Sequence, residues 1–446
     1  NGKWTCDFSK NIKGISTSQI NKKKYSKTIN IPFCPESQLS GIGHTDFIQE
    51  IYYQRSFVIP KSWKDKKILL HFGGVDYQSL VFINKKKVGE NTGGSTPFSI
   101  DITSSTDFNS TNDLKLYVID KRCQGSLGPT PWYYGDGTFD NETLIKKWTL
   151  NKKRTQPRGK QSPHQQSWGC FYTRTTGIWQ TVWLEAVNKT HIKGITIQPD
   201  LKLSQFNFIP EYSSKTECLL KIDISLKNKK INSSLFSSTN KKLSIKIKNP
   251  KLWSIGKPNL YDFTFTLLSK NKNNIYDTVK SYSGMRLIEI KKNKIYLNNK
   301  PLYQRLVLDQ GFYPTGIWTA PSDKDLKNDI LLSIKAGFNG ARLHEKVFED
   351  RFHYWADKLG YITWAEFPNW GMNENAKASE ISFMKEWPRI VNYLKNHPSI
   401  ITWTPFNETN TRDCNTQHKK LMRKAYAVTK KIDPTRPVNE TSGYQH

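Results

Sequence analysis

Acidic charge is scarce in this chain. Asp and Glu number 38 against 68 Lys and Arg, a formal net charge of +30 over 446 residues. Such an excess raises nucleic acid as a partner. The lysines, however, are dispersed in small groups, such as Lys22 to Lys24, Lys85 to Lys87 and Lys291 to Lys294 around Asn293, at turns between strands. Charge spread this way solvates a surface rather than tracking a phosphate backbone, so nucleic acid is not the expected partner. Cysteine is also sparse. The six, Cys6, Cys34, Cys123, Cys170, Cys218 and Cys414, lie far apart with no C-x-x-C and no histidine at metal spacing, and they read as unpaired buried thiols. Long apolar runs are missing, which excludes a membrane-spanning helix by hydropathy. The chain opens on Asn1 with no basic-then-apolar leader, so its location is unread: either the start was processed or the sequence belongs to a longer one.

Aromatic residues are plentiful. With 14 Trp, 20 Tyr, 22 Phe and 36% hydrophobic residues the chain can fill packed cores, which excludes a disordered protein, and its length allows two to four domains.

Residues 1–188 alternate apolar and polar in short runs ("IYYQRSFVIP", "DLKLYVID", "GIWQTVWLEAV") separated by turn residues, the pattern of an all-β sandwich or jelly roll. Residues 122–170 break it. They are rich in Gly, Pro, Gln, Trp and Tyr, too long for an ordinary connection, and read either as partly disordered or as a functional loop that could reach an active site of its own chain or of a neighbour. Residues 189–288 return to short alternating strands, the size and character of one immunoglobulin-like sandwich. From 289 the period changes. Apolar strands alternate with amphipathic segments ("KDLKNDILLSIKAGF", "FEDRFHYWADKLG", "KEWPRIVNYLKNHP", "HKKLMRKAYAVTKKIDPTRP"), which predicts a parallel sheet with crossover helices, the start of a (β/α)8 barrel.

Each predicted barrel strand ends on polar residues: Asp309 and Gln310, Arg342 and His344, Glu366 and Asn369, Asn407 and Glu408, Asn439 and Glu440. That end of a barrel is where active sites form. Two carboxyl groups facing one bond are what glycoside hydrolysis requires. Glu408 is one candidate, with Asn407 beside it for a sugar hydroxyl. The plain alternative is a Glu that caps the following helix, since Thr409 and Asn410 are cap-type residues. Glu366 either acts on substrate or orients Arg342, and His344 either contacts substrate or is a satisfied structural histidine. Trp318, Trp364, Trp370 and Trp403 could stack on sugar faces, and Trp364 and Trp403, which sit inside strands, could equally fill the barrel core.

"LHFGGVDYQSLVFINKKKVGENTGGSTPFSIDIT", "TTGIWQTVWLE", "LWSIGKPNLYDFTFTL", "NNKPLYQRLVLDQGFYP", "GFNGARLH" and "WTPFNET" resemble, in order, the segments of glycoside hydrolase family 2, the β-galactosidase and β-glucuronidase family. The resemblance implies a jelly-roll sugar-binding domain, an immunoglobulin-like domain and a barrel that is incomplete at residue 446. It also implies a retaining double displacement. Glu408 would be the general acid and then the base, and Asn407 would bind the hydroxyl beside the anomeric carbon. Arg342 matches the family's second-strand arginine and Glu366 an acidic position at the end of the third strand. Together with Asp309, His344 and Trp370, read from their places at the strand ends, Asn407, Arg342 and Glu366 are the candidate substrate-binding residues. The family nucleophile is a seventh-strand Glu and would lie outside this chain. The Ser-His-Tyr common after the family's second-strand arginine is replaced here by Leu343, His344 and Glu345. Mg²⁺ or Na⁺ and a homo-oligomer are implied by relatives alone. A β-galactosidase-like enzyme is the leading expectation; a catalytically inactive carbohydrate-binding or structural protein is the alternative.

Overall fold

The computed structural model describes residues 1–12, 16–121, 155–162, 167, 169–409 and 415–443. The N-terminal part is a two-layer sandwich. One layer has six antiparallel strands in the order Lys27–Ile31, Gly2–Ser9, Glu50–Val58, Thr111–Ile119, Gln78–Ile83 and Lys86–Thr92. The other has three strands, Val182–Val187, Lys67–Phe72 and Phe98–Asp101. Alternation decides which residues face inward: in Lys67–Phe72, Ile68, Leu70 and Phe72 are buried and join Ile51, Tyr53, Val81, Leu116 and Val118 in one core. The run "GIWQTVWLEAV" is not one strand. Gly177–Ile178 pairs with Val75–Asp76, and only Val182–Val187 joins the three-stranded sheet.

The second sandwich sets three strands (Ile192–Asp200, Gln205–Tyr212, Leu243–Lys246) against four (Lys229–Ser237, Cys218–Leu226, Tyr261–Ser269, Ile275–Ser283). Phe206, Phe208, Phe263 and Phe265 meet edge to face at its centre, with ring centroids 5.1 to 5.6 Å apart.

Four parallel strands follow, Leu306–Asp309, Gly340–Leu343, Ile362–Glu366 and Ile400–Thr404, in sequence order across the sheet. Val438 and Ser442 continue the sheet through parallel bridges to Trp403 and Asn407. The crossover helices are Asp323–Lys335, Asp350–Leu359, Lys377–Leu394 and Thr416–Ile432. Ser322 and Asn415 cap the first and last by accepting backbone N–H bonds from Asp325 and His418. The third helix begins at Lys377, ahead of the stretch "KEWPRIVNYLKNHP" that signals it in sequence. Its first turns, "KASEISFM", carry Phe383 into the core and Pro388 is accommodated inside the helix.

Cys6, Cys34 and Cys218 are free and buried, as expected of isolated thiols, but Cys170 is exposed. Cys123 and Cys414 lie outside the described residues, as does most of the 122–170 loop. Among the described residues no helix is long and apolar enough to cross a membrane.

Candidate active site

The parallel strands deliver their polar ends to one place. Arg342, on the second strand, donates from Nε to Glu366 Oε2 at 2.7 Å and from Nη2 to Glu366 Oε1 at 3.1 Å. The same Nη2 donates to Asn407 Oδ1 at 2.6 Å and to Ser442 Oγ. One guanidinium therefore ties the second, third and fourth strands to the Ser442 bridge. The Ser442 hydroxyl also donates to Asn407 Oδ1, at 2.9 Å. With its oxygen committed twice, the Asn407 amide is fixed in orientation, and its Nδ2 is buried with no hydrogen-bond acceptor among the described residues. Asn369 holds the Asn407 backbone from below, accepting from its N–H at 2.7 Å.

Glu366 is buried, and burial pushes its carboxyl up to about 7 against the pull of Arg342. Its Oε1 also accepts from the backbone N–H of Glu345 at 3.0 Å. Glu366 is thus bonded to Arg342 through both carboxylate oxygens. His344 is buried beside the Asn407 amide, its Nδ1 lies 3.0 Å from the Gln310 amide, and burial followed by the Arg342 and Lys160 charges lowers it to about 3, so the ring is neutral. Asp309 closes the first strand. Its Oδ1 accepts from the Gly311 N–H at 2.9 Å, its carbonyl accepts from His344 N–H at 2.7 Å, and burial raises its carboxyl.

Glu408 follows Asn407 with its side chain exposed. Its N–H donates to Ser442 O at 2.8 Å, which fixes the backbone, and its φ of 49° is a left-handed conformation rare outside glycine. It does not cap the next helix: that helix begins at Thr416, and Asn415 is its cap. Thr409 instead bonds Thr441 across the sheet at 2.8 Å. Of the tryptophans, Trp403 and Trp318 are fully buried and fill cores, and Trp364 bonds Gln304 at 2.8 Å. Trp370 alone stands half-buried among the site residues.

Sequence reasoning missed three groups. Glu345 is wholly buried with φ 54°; its Oε2 accepts from Trp370 N–H at 3.1 Å and its Oε1 has no hydrogen-bond partner among the described residues. Lys160, from the N-terminal sandwich, sits with its ammonium 3.2 Å from the Trp370 ring centroid. Tyr172 donates to Gln310 at 2.7 Å and stacks on Phe312 at 4.0 Å. The replacement of Ser-His-Tyr by Leu343, His344 and Glu345 was the signal for the first. The Gly-, Pro- and Gln-rich composition around "TQPRGKQ" pointed to a functional loop without singling out Lys160. Asp120 and Asp76 anchor that strap: Asp120 accepts from Gln156 at 2.8 Å and Arg158 at 2.9 Å, and Asp76 accepts from Gln161 at 2.8 Å. The strap then bonds the third-strand loop through Arg158 N–H to Trp370 O at 2.7 Å.

Among the described residues no group of three or more His, Cys, Asp or Glu is placed to hold a metal ion, so none of these residues is assigned to Mg²⁺ or Na⁺.

A jelly-roll sandwich, an immunoglobulin-like sandwich and a parallel barrel with carboxylates at its strand ends define the architecture of a multidomain glycoside hydrolase. The family models agree. Residues 2–122 match the sugar-binding domain of glycosyl hydrolases family 2, residues 190–286 match glycosyl hydrolases family 2, and residues 288–445 match its TIM barrel domain. The chain belongs to this family. It is 26% identical over 365 residues to a β-galactosidase of Thermoanaerobacter pseudethanolicus, covering 79% of this chain and 44% of that protein. It is 28% identical over 371 residues to a putative β-glucuronidase of Formosa agariphila, covering 80% of this chain and 39% of that protein. The chain thus spans less than half the length of both relatives. The β-glucuronidase of Ruminococcus gnavus in complex with D-glucuronic acid shares the fold at a TM-score of 0.79 and 18% identity, over 98% of this chain and 71% of that one.

Proposed function

We propose that this chain forms part of a retaining β-glycosidase that removes terminal β-linked sugars, β-galactosides first, with Glu408 as the acid and base. The observation that carries the reading is the Arg342 network. It fixes Asn407, whose amide N–H has no acceptor among the described residues, beside an exposed carboxylate, Glu408, at the strand ends. Glu408 would protonate the departing glycosidic oxygen and then take a proton from the attacking water. Asn407 Nδ2 would donate to the hydroxyl next to the anomeric carbon. Asp309, His344 and Trp370 would line the sugar, while Arg342 and Glu366 hold the frame. The nucleophile of the double displacement is assigned to no residue within 1–446. The ligand is a carbohydrate, and a homo-oligomer is the assembly the family likeness suggests. Both β-galactosidases and β-glucuronidases are among the relatives, so substrate choice must be measured.

The test is Glu408→Gln in the full-length protein, assayed on aryl β-galactosides and β-glucuronides. Loss of a general acid lowers the rate by about 10²- to 10⁴-fold for a poor leaving group such as phenol. It lowers the rate much less for dinitrophenol, which leaves without protonation. Equal losses for both leaving groups would remove Glu408 from the acid role. An unchanged rate would also remove Glu408 from the acid role, and no hydrolysis by the unsubstituted full-length protein would favour the carbohydrate-binding alternative.

A further inference from the structure

A buried lysine and a buried glutamate from two different domains meet at the strand-end site, and among the described residues each is only partly satisfied. Lys160 is 3% exposed, and among the described residues its ammonium makes one hydrogen bond, to the Cys170 sulfur at 3.8 Å. Glu345 is 0% exposed, with Oε1 unpartnered among the described residues. Burying an ammonium or a carboxyl oxygen without a partner is costly, so such groups point to something that completes them. The two are electrostatic neighbours, each pulling on the other's protonation, and Glu408 is a third member of the group. No ion pair closes between Lys160 and Glu345 among the described contacts.

Both are held in place. Trp370 tethers them together: its N–H binds Glu345 Oε2 at 3.1 Å, and its ring lies 3.2 Å from the Lys160 ammonium. Gly159, at φ +56°, lets the strap press against the second-strand loop, because a Cβ there would stand 2.1 Å from the Glu345 carbonyl oxygen. Glu345 itself holds a left-handed backbone, the kind of local strain that persists at functional sites.

We propose that Lys160 and Glu345 form a two-residue clamp that reads a pair of adjacent hydroxyls on the terminal sugar, so that the strap from the N-terminal sandwich helps set substrate specificity. One hydroxyl accepts from the Lys160 ammonium and its neighbour donates to Glu345 Oε1, which satisfies both buried groups at once. A pyranose ring presents such donor and acceptor hydroxyls side by side. The acidic neighbourhood of Glu345, Glu366, Glu374 and Glu408 suits a neutral ring face here better than a second carboxylate. The proposal rests on the glycosidase reading for its ligand class.

The test is a cycle between protein and substrate. The full-length protein and its Lys160→Met and Glu345→Gln variants are assayed on the p-nitrophenyl β-glycoside it cleaves fastest among galactoside, glucoside and glucuronide, and on the 2-, 3-, 4- and 6-deoxy analogues. Each substitution is expected to lower kcat/KM by roughly 10- to 100-fold, mainly through KM, as for a hydrogen bond to a charged group. On one deoxy analogue per variant, the substitution should cost almost nothing further, and the two analogues should be adjacent positions on the ring. Additive losses on every analogue would overturn the clamp while leaving the glycosidase standing. If no glycoside is hydrolysed, calorimetric binding of the corresponding isopropyl thioglycosides replaces the rate. Binding weakened by both substitutions would keep the clamp while the glycosidase reading falls; no binding would overturn the clamp. If a variant fails to fold, the unsubstituted protein decides: two adjacent deoxy positions must each lose about 10-fold or more, and any other pattern overturns the proposal.

Discussion

Arg342 Nε lies 2.7 Å from Glu366 Oε2, and this pair joins the second and third barrel strands beneath the candidate site. The fork geometry matters as much as the charge, because the other guanidinium nitrogen reaches Asn407 and Ser442 as well. Arg342→Met would leave the Glu366 carboxylate buried without its partner, a change that typically costs about 3–5 kcal/mol. A drop of that size in unfolding free energy is expected by denaturant titration. Arg342→Lys keeps the charge but cannot bridge Glu366 and Asn407 together. It should recover part of the stability and little of the kcat/KM. Full activity in the lysine variant would show that charge alone suffices.

The strap is expected to depend on Asp120. This carboxylate is 3% exposed and accepts from Gln156 at 2.8 Å, Arg158 at 2.9 Å and Thr176 at 3.2 Å. Asp120→Ala leaves the Arg158 guanidinium without that pair, so the segment that carries Lys160 should loosen locally. Limited proteolysis should then cut near 155–162 faster than in the parent. Substrate KM should rise while the barrel's unfolding midpoint moves little. Unchanged proteolysis would show that the bonds to the Trp370 loop hold the strap alone.

Much of this site was legible because its chemistry sits at strand ends. A run of β-branched residues ending in Asn407 and Glu408 can be read from period and residue type. So can the pairing of Arg342 with Glu366, since an acid and a base at the ends of neighbouring parallel strands are in reach of each other. The domain order was legible for the same reason: period two through two sandwiches, then helical period between strands. What stayed hidden depends on distance in sequence. Lys160 and Glu345 are separated by more than the length of the second sandwich, and nothing local in "PRGKQ" says which domain it touches. The role of Ser442 was hidden likewise, because its hydroxyl matters only once a parallel bridge sets it against Asn407. Helix ends were misplaced where the apolar pattern is sparse, as in "KASEISFM".

Low pH should weaken the barrel through Asp433. Burial works against its charge, yet Arg436, Thr435 and Trp403 hold its carboxyl down to about 2. Trp403 Nε1 donates to its Oδ2 at 2.8 Å. A carboxyl depressed in the folded state stabilises above its unfolded value of about 3.9 and loses that contribution as pH falls towards 2. The contribution is about 2 kcal/mol at neutral pH. Asp433→Asn should lower the unfolding free energy at pH 6 and flatten the loss between pH 4 and 2. A slope identical to the parent's would assign acid sensitivity to other carboxylates.

High pH should weaken it through His397, where the sign reverses. Burial again opposes the charge, but Asp357 and Asp350 hold the ring up to about 10. Its Nδ1 lies 2.6 Å from Asp357 Oδ2 and its Nε2 lies 3.1 Å from Asp350 Oδ1. Asp357 also accepts from Ser399 N–H at 2.8 Å and from the Tyr282 hydroxyl at 2.9 Å, so this cation anchors the junction between the second sandwich and the barrel. The folded chain keeps a proton that the unfolded chain releases near pH 6.5. Its stabilisation is therefore complete below that value and declines as pH rises towards 10. The unfolding midpoint should fall between pH 7 and 10 in the parent. His397→Gln should lower it at pH 6 and show a shallower fall above pH 7. If both proteins decline in parallel above pH 7, the His397 proton is not the source of the alkaline sensitivity.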